Sequence, residues 1–165
     1  MRLPLLPPFV LDDEQKALYD DIVNVVADNF GDLVVQRDDG ALIGPFNAWL
    51  HVPPVGRAAW AFNKAMYEHS VLPPAVHQLV ILATAARYGG RYEIYGHEYF
   101  GQRAGIAPNK IATIVAGERP GDLSADEAVA YDLTAALHRG TSLPETTYQA
   151  GIATFGEPGV ARSSS

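Results

Sequence analysis

A carboxylate and an imidazole, Glu93 and His97, stand four residues apart in the sequence. Residues at this spacing share one face of a helix, one turn from each other. The pair is a minimal acid–base device, because the imidazole titrates near neutrality and a carboxylate stabilises its charged form and fixes its tautomer. The spacing therefore predicts either a proton-transfer pair or an ordinary ion pair on a helix surface.

Two helices are expected to position this pair. The run from Ala75 to Tyr88 is apolar on most sides, which is typical of a buried helix, and Gly89 and Gly90 end it. A second helix is predicted from about Tyr92 to Ala104, where Gly105 stops it. The pair would then lie in the first turns of a helix that begins directly after the central, buried one.

The rest of the chain also has helical signals. Asp12, with Gln15 three residues later, predicts a capping box before an amphipathic helix over about 13–29. A short helix is predicted from Pro45 to the prolines at 53 and 54, and a longer one over about 55–69 with Val55, Ala59, Phe62 and Met66 on one side. Three more helices are predicted to begin at Pro108, at Ser124 and at Pro144, the last of them ending near Gly156. No alternating strand pattern is present, so an all-α helical bundle of seven or eight helices is predicted.

The positions of these helical signals also predict the domain organisation. Residues 1–11 are rich in proline and predict an N-terminal arm that wraps a surface, of this chain or of a partner subunit. Residues 12–156 predict one helical domain. Residues 157–165 end in three serines and predict a polar tail without structure, which leaves the bundle without a closing helix.

Composition excludes several functions. The 165 residues are 48% hydrophobic with a net charge of −7, which is globular and disfavours nucleic acid or an anionic membrane as a partner. The chain has no cysteine, which excludes disulfides, thiolate metal sites and thiol redox chemistry. The N-terminus has only short apolar stretches broken by prolines, so neither a signal peptide nor a membrane span is predicted, and a cytoplasmic location is expected.

In order and spacing, four short segments resemble the carboxymuconolactone decarboxylase family, which includes the alkylhydroperoxidase D group. These segments are Gly-Pro-Phe-Asn-Ala-Trp-Leu-His from Gly44, Leu-Pro-Pro before the apolar helix, Tyr92-Glu93 before His97, and Ala104-Gly105-Ile106 after it. The resemblance covers about Gly44 to Gly156. It implies an all-α fold of the carboxymuconolactone decarboxylase / alkylhydroperoxidase D type and subunits that assemble as trimers or hexamers, and it implies a further apolar helix after the Phe-Gly-Glu segment at 155–157.

The peroxidase branch of that family carries Cys-x-x-Cys-x-x-x-His and a glutamate one helix upstream. Aligned on His97, the two cysteine positions hold Gly90 and Glu93, and the upstream glutamate position holds Gln78. Peroxide reduction needs a thiolate and a resolving thiol, so thiol peroxidase activity is excluded. A glutamine cannot transfer a proton, but it can hydrogen-bond His97 or a ligand.

The other branch works without cofactors on lactones and carboxylated intermediates. The resemblance therefore implies a lyase or isomerase in which His97 is the general acid or base and Glu93 orients it or shares the proton. Gln78, Tyr92 and Tyr95 are expected to contact substrate, and Arg91 to pair with a substrate carboxylate or else to be a solvated surface residue. A catalytically retired homo-oligomer that binds a small acid is the alternative.

Metal binding is a weaker hypothesis. His77, Glu93 and His97 have the side chains of a three-ligand site, but histidines on separate helices have no diagnostic spacing, and no metal or cofactor is expected. The three remaining histidines, His51, His69 and His138, lie near predicted helix ends, where a cation interacts favourably with the helix dipole.

Overall fold

Helices account for nearly all the regular structure. The computed structural model describes residues 3–140 and 142–163. In these residues a 3₁₀ turn (Pro8–Val10) precedes eight α-helices: α1 (Asp13–Asn29), α2 (Pro45–Leu50), α3 (Pro53–Glu68), α4 (Pro74–Tyr88), α5 (Arg91–Arg103), α6 (Pro108–Val115), α7 (Ala125–His138) and α8 (Glu145–Ser163). The β structure found there is an isolated antiparallel bridge between Gln36 and Leu42. The all-α prediction is confirmed, and no described helix has the length and apolar character needed to cross a membrane.

The chain divides into two compact units, an N-terminal unit of residues 1–69 and a C-terminal unit of residues 70–165. The N-terminal unit contains α1, α2 and α3. Its first helix begins with the predicted capping box: the Asp12 carboxylate accepts a bond from the Gln15 backbone N–H, and the Gln15 side chain accepts one from Asp12 N–H. The caps are local in sequence, so the pattern predicted this helix correctly.

The approach of α3 to α1 and α2 depends on Gly56. A Cβ at this position would lie 2.5 Å from the Trp49 carbonyl oxygen and 2.8 Å from a Leu18 methyl carbon. One turn further along α3, the Trp60 ring is buried and meets Phe46 edge-on at 5.8 Å. The prolines at 53 and 54 were expected to end α2 and to precede the next helix, but they form the first turn of α3. Proline can do both, because it terminates the helix before it and also fits the first turn of the helix that it begins.

The proline-rich arm is bound within its own unit over the residues described. The buried Asn47 side chain accepts a hydrogen bond from Leu6 N–H at 3.1 Å and donates one to the Pro4 carbonyl at 3.1 Å. His51 Nε2 donates a second bond to the same carbonyl at 2.9 Å. The amide of Asn47 therefore binds both a backbone donor and a backbone acceptor of the arm.

The C-terminal unit is arranged around α4, which packs against α5, α6 and α7. Leu79 and Leu82 of α4 are fully buried, which confirms the prediction of a buried helix. Gly89 ends it in the left-handed conformation (φ +68°), where glycine has no steric cost. The core of this unit continues through Ile106, Ile111 and Ile114.

The predicted polar tail is wrong for residues 157–163, which are helical. Gly156 (φ 67°, ψ 177°) breaks α8, and the chain then resumes a helix with Pro158 in its first turn. Val160 is buried, and it lies close to Gly151 on the preceding part of α8. The apolar contact of Val160 explains why the segment folds despite its polar composition. Residues 1–2 of the predicted arm and 164–165 of the predicted tail lie outside the described residues.

Candidate acid–base site

Gln78, whose side-chain amide faces the His97 imidazole, lies on α4. Pro74 occupies the first turn of this helix, and the apolar run that follows buries His77 and Gln78 along with their aliphatic neighbours. A buried amide must find hydrogen-bond partners, because leaving it unpaired costs about 1–3 kcal/mol. Gln78 finds one on α5.

Glu93 and His97 come from α5, which begins directly after Gly90 and has Glu93 in its first turn. A negative charge is favourable there, since the N-terminal end of a helix carries a partial positive charge. The close packing of this helix depends on Gly101, where a Cβ would lie 3.3 Å from Ile111 and 3.5 Å from Leu82. The helix therefore holds His97 against the central helix, where its side chain is buried.

The three side chains form a chain of contacts. His97 Nδ1 lies 2.6 Å from Gln78 Oε1, and His97 Nε2 lies 3.4 Å from Glu93 Oε2. His97 is 8% exposed, whereas the Glu93 side chain is 47% exposed. The contacts therefore run from a buried amide, through a buried imidazole, to a carboxylate in contact with solvent.

The first of these contacts fixes the imidazole tautomer. A glutamine carbonyl oxygen can only accept, so Nδ1 must carry the proton that it donates to Gln78. The lone pair of a neutral ring would then point from Nε2 toward the carboxylate lone pairs of Glu93, which is repulsive. The Nε2–Glu93 contact becomes attractive when one proton is held between the two groups.

Tyr92 and Tyr95 lie on either side of Glu93 in the sequence of α5, and the Glu93 charge acts on the Tyr92 phenol. Their ring centroids are 6.2 Å apart. Burial, followed by the charges of Glu93 and Tyr95, raises the pKa of the Tyr92 phenol well above its ordinary value of 10.0, so it stays a neutral hydroxyl at physiological pH. Tyr95 is exposed. The Tyr92 hydroxyl is buried, so Tyr95 presents the more accessible of the two rings.

Arg91 is not brought to the imidazole. It is the first residue of α5 and is exposed, and its side chain makes no hydrogen bond or ion pair with any other described residue. Nothing in the structure ties it to the imidazole, and its predicted role as a substrate-binding cation stays a prediction.

His77, one of the three side chains of the metal hypothesis, is buried. No group of three or more His, Cys, Asp or Glu side chains within residues 3–140 and 142–163 is placed to hold a metal ion, and this includes the set His77, Glu93 and His97. The geometry of the described chain therefore gives the metal hypothesis no support.

The remaining histidines lie at helix ends, as predicted. His138, however, does not have the positive charge that was expected to interact with the helix dipole. Burial, followed by the charge of Arg87, lowers the pKa of His138 below its ordinary value of 6.5. His138 is therefore neutral at physiological pH, and its place beside a helix end is not explained by charge. It lines a cavity of about 420 Å³ in the C-terminal unit that the sequence did not predict and that includes neither Glu93 nor His97.

We compared the chain with protein-family models, with curated proteins and with solved structures, and none of these comparisons gives a match.

Proposed function

We propose that this protein is a cofactor-free acid–base enzyme of the carboxymuconolactone decarboxylase type, acting on a small lactone or carboxylic acid. The observation that carries the proposal is the contact chain Gln78–His97–Glu93, in which a fixed tautomer directs one imidazole nitrogen to a half-exposed carboxylate. The sequence resemblance supports the same class of reaction, and the absence of cysteine excludes its peroxidase branch.

In the proposed reaction the pair moves one proton. For double-bond migration, the pair removes a proton from a carbon next to a carbonyl, the C–H electrons form an enolate, and the proton is returned at a second carbon. For decarboxylation, the C–CO₂ bond breaks, its electron pair forms the enolate, and the pair supplies the proton to that carbon. Glu93 exchanges the proton with substrate because it faces solvent, and His97 stores it.

Gln78 has a positioning role in this proposal. An amide holds the imidazole without competing for its proton, whereas a carboxylate at this position would accept it. Tyr95 has an exposed ring that would contact the body of the substrate, and the Tyr92 ring lies 6.2 Å from it, with its neutral hydroxyl buried.

The test begins with a thermal-shift screen of lactones, enol acids and aromatic carboxylates. A ligand at 100 times its Kd stabilises the protein by about 2.7 kcal/mol. Each hit is then incubated with the protein in D₂O, and NMR measures deuterium incorporation next to the carbonyl and loss of CO₂. We expect Glu93→Gln and His97→Asn each to lower the rate by about 10²–10⁴.

Glu98→Gln is the matched control. It removes a carboxylate from the same helix, five residues from Glu93 and therefore on a different face, and should leave the rate within about twofold. Full turnover by His97→Asn would contradict the proposal, as would equal losses in Glu93→Gln and Glu98→Gln.

A retired, non-catalytic protein is the second candidate, because His97 is almost fully buried and Gln78 cannot titrate. It predicts ligand-dependent stabilisation, or none, without deuterium exchange in any hit. Exchange that depends on Glu93 would exclude it.

We also propose that the chain forms a homo-oligomer, a trimer or hexamer. The predicted apolar side of α3 supports this, because Val55 and Phe62 are each more than half exposed in the single chain. Covering such a surface is a common reason for association. A monomer mass in light scattering at micromolar concentration would contradict this proposal.

A further inference from the structure

A concave site lies in the C-terminal unit, between α4, α6 and α7. Its volume is about 420 Å³, within the range of small-molecule sites, about 300–1,000 Å³. Ala83 of α4, Ile114 of α6 and Ala135 of α7 give it an apolar wall. Three helices that pack closely elsewhere therefore leave a space here that small side chains keep open.

This cavity is separate from the acid–base site. Gln78 and Arg87 are nine residues apart on α4, about two and a half turns, so they project from opposite faces of the helix. Gln78 faces the imidazole on α5, whereas Arg87 lines the cavity. A ligand in the cavity is therefore on the other side of α4 from Glu93 and His97.

Two arginines line the cavity, Arg87 near the end of α4 and Arg139 at the end of α7. Neither forms an ion pair within the part of the chain that the structure describes. The guanidinium of Arg87 lies over the Tyr88 ring, with Cζ 5.6 Å from the ring centroid. Two cations that face an apolar cavity without carboxylate partners form a site for an anion.

The carboxylates near the cavity do not neutralise the arginines. Asp132 is occupied by Arg119, which donates to it from Nε at 2.7 Å and from the guanidinium end at 3.0 Å. Glu118 lies near enough to contribute to the raised pKa of Tyr131. Glu118 is therefore expected to weaken anion binding, and a variant can measure its effect.

The other two titratable residues that line the cavity, His138 and Tyr131, are neutral. His138 Nε2 donates to Thr84 Oγ1 at 3.2 Å, and that hydroxyl donates to the Val80 carbonyl at 2.8 Å, so the ring proton is fixed on Nε2. Burial and the charge of Arg87 lower the pKa of His138, and burial outweighs the nearby Arg119 to raise the pKa of Tyr131 above 10.0. The charge of the site therefore comes from its two arginines.

We propose that this cavity binds a small organic anion, a carboxylate attached to a compact apolar or aromatic body. Arg87 and Arg139 hold the carboxylate at the mouth. Ala83, Ile114 and Ala135 contact the body. The apolar wall favours such a ligand over an inorganic anion, because burial of apolar surface adds to its affinity.

The test uses the full chain and three probes of matched chemistry. Benzoate has the charge and the body, formate has the charge alone, and benzyl alcohol has the body alone. NMR spectra of the ¹⁵N-labelled protein locate each probe and give its Kd. We expect benzoate to bind tightest and to shift amide signals at the ends of α4, α6 and α7, rather than in the first turns of α5.

Substitutions of the charged residues test whether Arg87 and Arg139 bind the carboxylate of benzoate. Arg87→Gln and Arg139→Gln should each weaken benzoate binding about tenfold or more, the size expected for one charge-assisted hydrogen bond. Glu118→Gln should strengthen it, and Arg37→Gln, at an exposed arginine of the N-terminal unit, should leave it unchanged.

The outcomes separate this site from the acid–base site. His97→Asn should leave benzoate binding at the cavity intact. Loss of binding in His97→Asn with full binding in Arg87→Gln would place benzoate at α5 and overturn the inference. Formate binding as tight as benzoate, or benzoate binding that survives both arginine substitutions, would also overturn it.

Discussion

Removing the Glu127 carboxylate should destabilise the C-terminal unit more than any change to a surface ion pair on the same helix. Glu127 Oε2 accepts from Lys110 Nζ at 2.7 Å, and the two side chains are only 11% and 12% exposed. The same oxygen accepts from the Ser124 backbone N–H at 2.8 Å, which completes the capping box at the start of α7. One carboxylate thus joins α6 to α7 and caps α7.

The size of the loss follows from this burial. Glu127→Ala leaves the Lys110 ammonium nearly buried without its partner, and breaking a buried ion pair in this way costs about 3–5 kcal/mol. The Ser124 N–H also loses its acceptor, an effect of about 1 kcal/mol that is included in that range. Asp132→Ala is the matched control, because the Asp132–Arg119 pair is on the same helix but about half exposed, and such pairs contribute about 0–1 kcal/mol.

The assay must report on the C-terminal unit. Both tryptophans, Trp49 and Trp60, lie in the N-terminal unit, so tryptophan fluorescence follows that unit and not this one. Urea unfolding should therefore be followed by circular dichroism together with amide hydrogen exchange of α6 and α7. We expect the protection of α7 amides to fall far more in Glu127→Ala than in Asp132→Ala.

A double variant tests the cause. If the loss arises from a stranded ammonium, adding Lys110→Met to Glu127→Ala should restore about 0.5–3 kcal/mol, because methionine removes the charge and fills the apolar space. A double variant less stable than Glu127→Ala would refute the reasoning, as would equal losses in Glu127→Ala and Asp132→Ala.

The pair also predicts a pH dependence. Burial alone would raise the pKa of the Glu127 carboxyl, but hydrogen bonds from Lys110 and Ser124 outweigh it and hold that pKa below its ordinary value of 4.5. Folding therefore favours the charged form. This stabilisation is complete above about pH 4.5 and is lost as the pH falls through the lower folded-state pKa. Acid titration of wild type and Glu127→Gln should show a smaller loss of stability in the variant below that pH.

Three further outcomes are expected. Asn47→Ala should release the arm and cost the N-terminal unit about 1–3 kcal/mol, seen as a lower urea midpoint in tryptophan fluorescence; an unchanged midpoint would contradict this. Gly56→Ala should cost about 1–3 kcal/mol or more by the same assay, because its Cβ would overlap the Trp49 carbonyl, and wild-type stability would show that the helices can separate freely. The His138 imidazole should titrate below its ordinary 6.5 in an NMR titration, and Arg87→Gln should raise that pKa; no change would show that the two side chains are not close.

The helices were predictable because their signals are local. Asp12 and Ser124 each cap the helix that follows, and Gly89 ends the central one, all within a few residues of the boundary that each sets. The prediction of a tail without structure was wrong over residues 157–163, because the fold of this segment depends on the burial of Val160 in an otherwise mostly polar stretch.

The candidate site could be predicted in part. The spacing of Glu93 and His97 placed them on one face of a helix, and the resemblance placed Gln78 one helix upstream, where the structure brings it to the imidazole. The cavity could not be predicted, because Arg87 and Arg139 are about 50 residues apart in the sequence and share no motif. The lowered pKa of His138 has the same origin, since it depends on burial that no local pattern encodes.

The central helix connects the two proposed sites physically, and this determines which variants can separate them. Gln78 projects from one face of α4 and Arg87 from the other, while Leu79 and Leu82 anchor the helix in the core. Packed cores shift as units, so a substitution that disturbs either leucine would move both sites together. Variants at the exposed ends of each site, Glu93 on one side and Arg87 on the other, avoid this coupling. If turnover depends on the first and benzoate binding on the second, each independent of the other, then the two faces of one buried helix serve two different ligands.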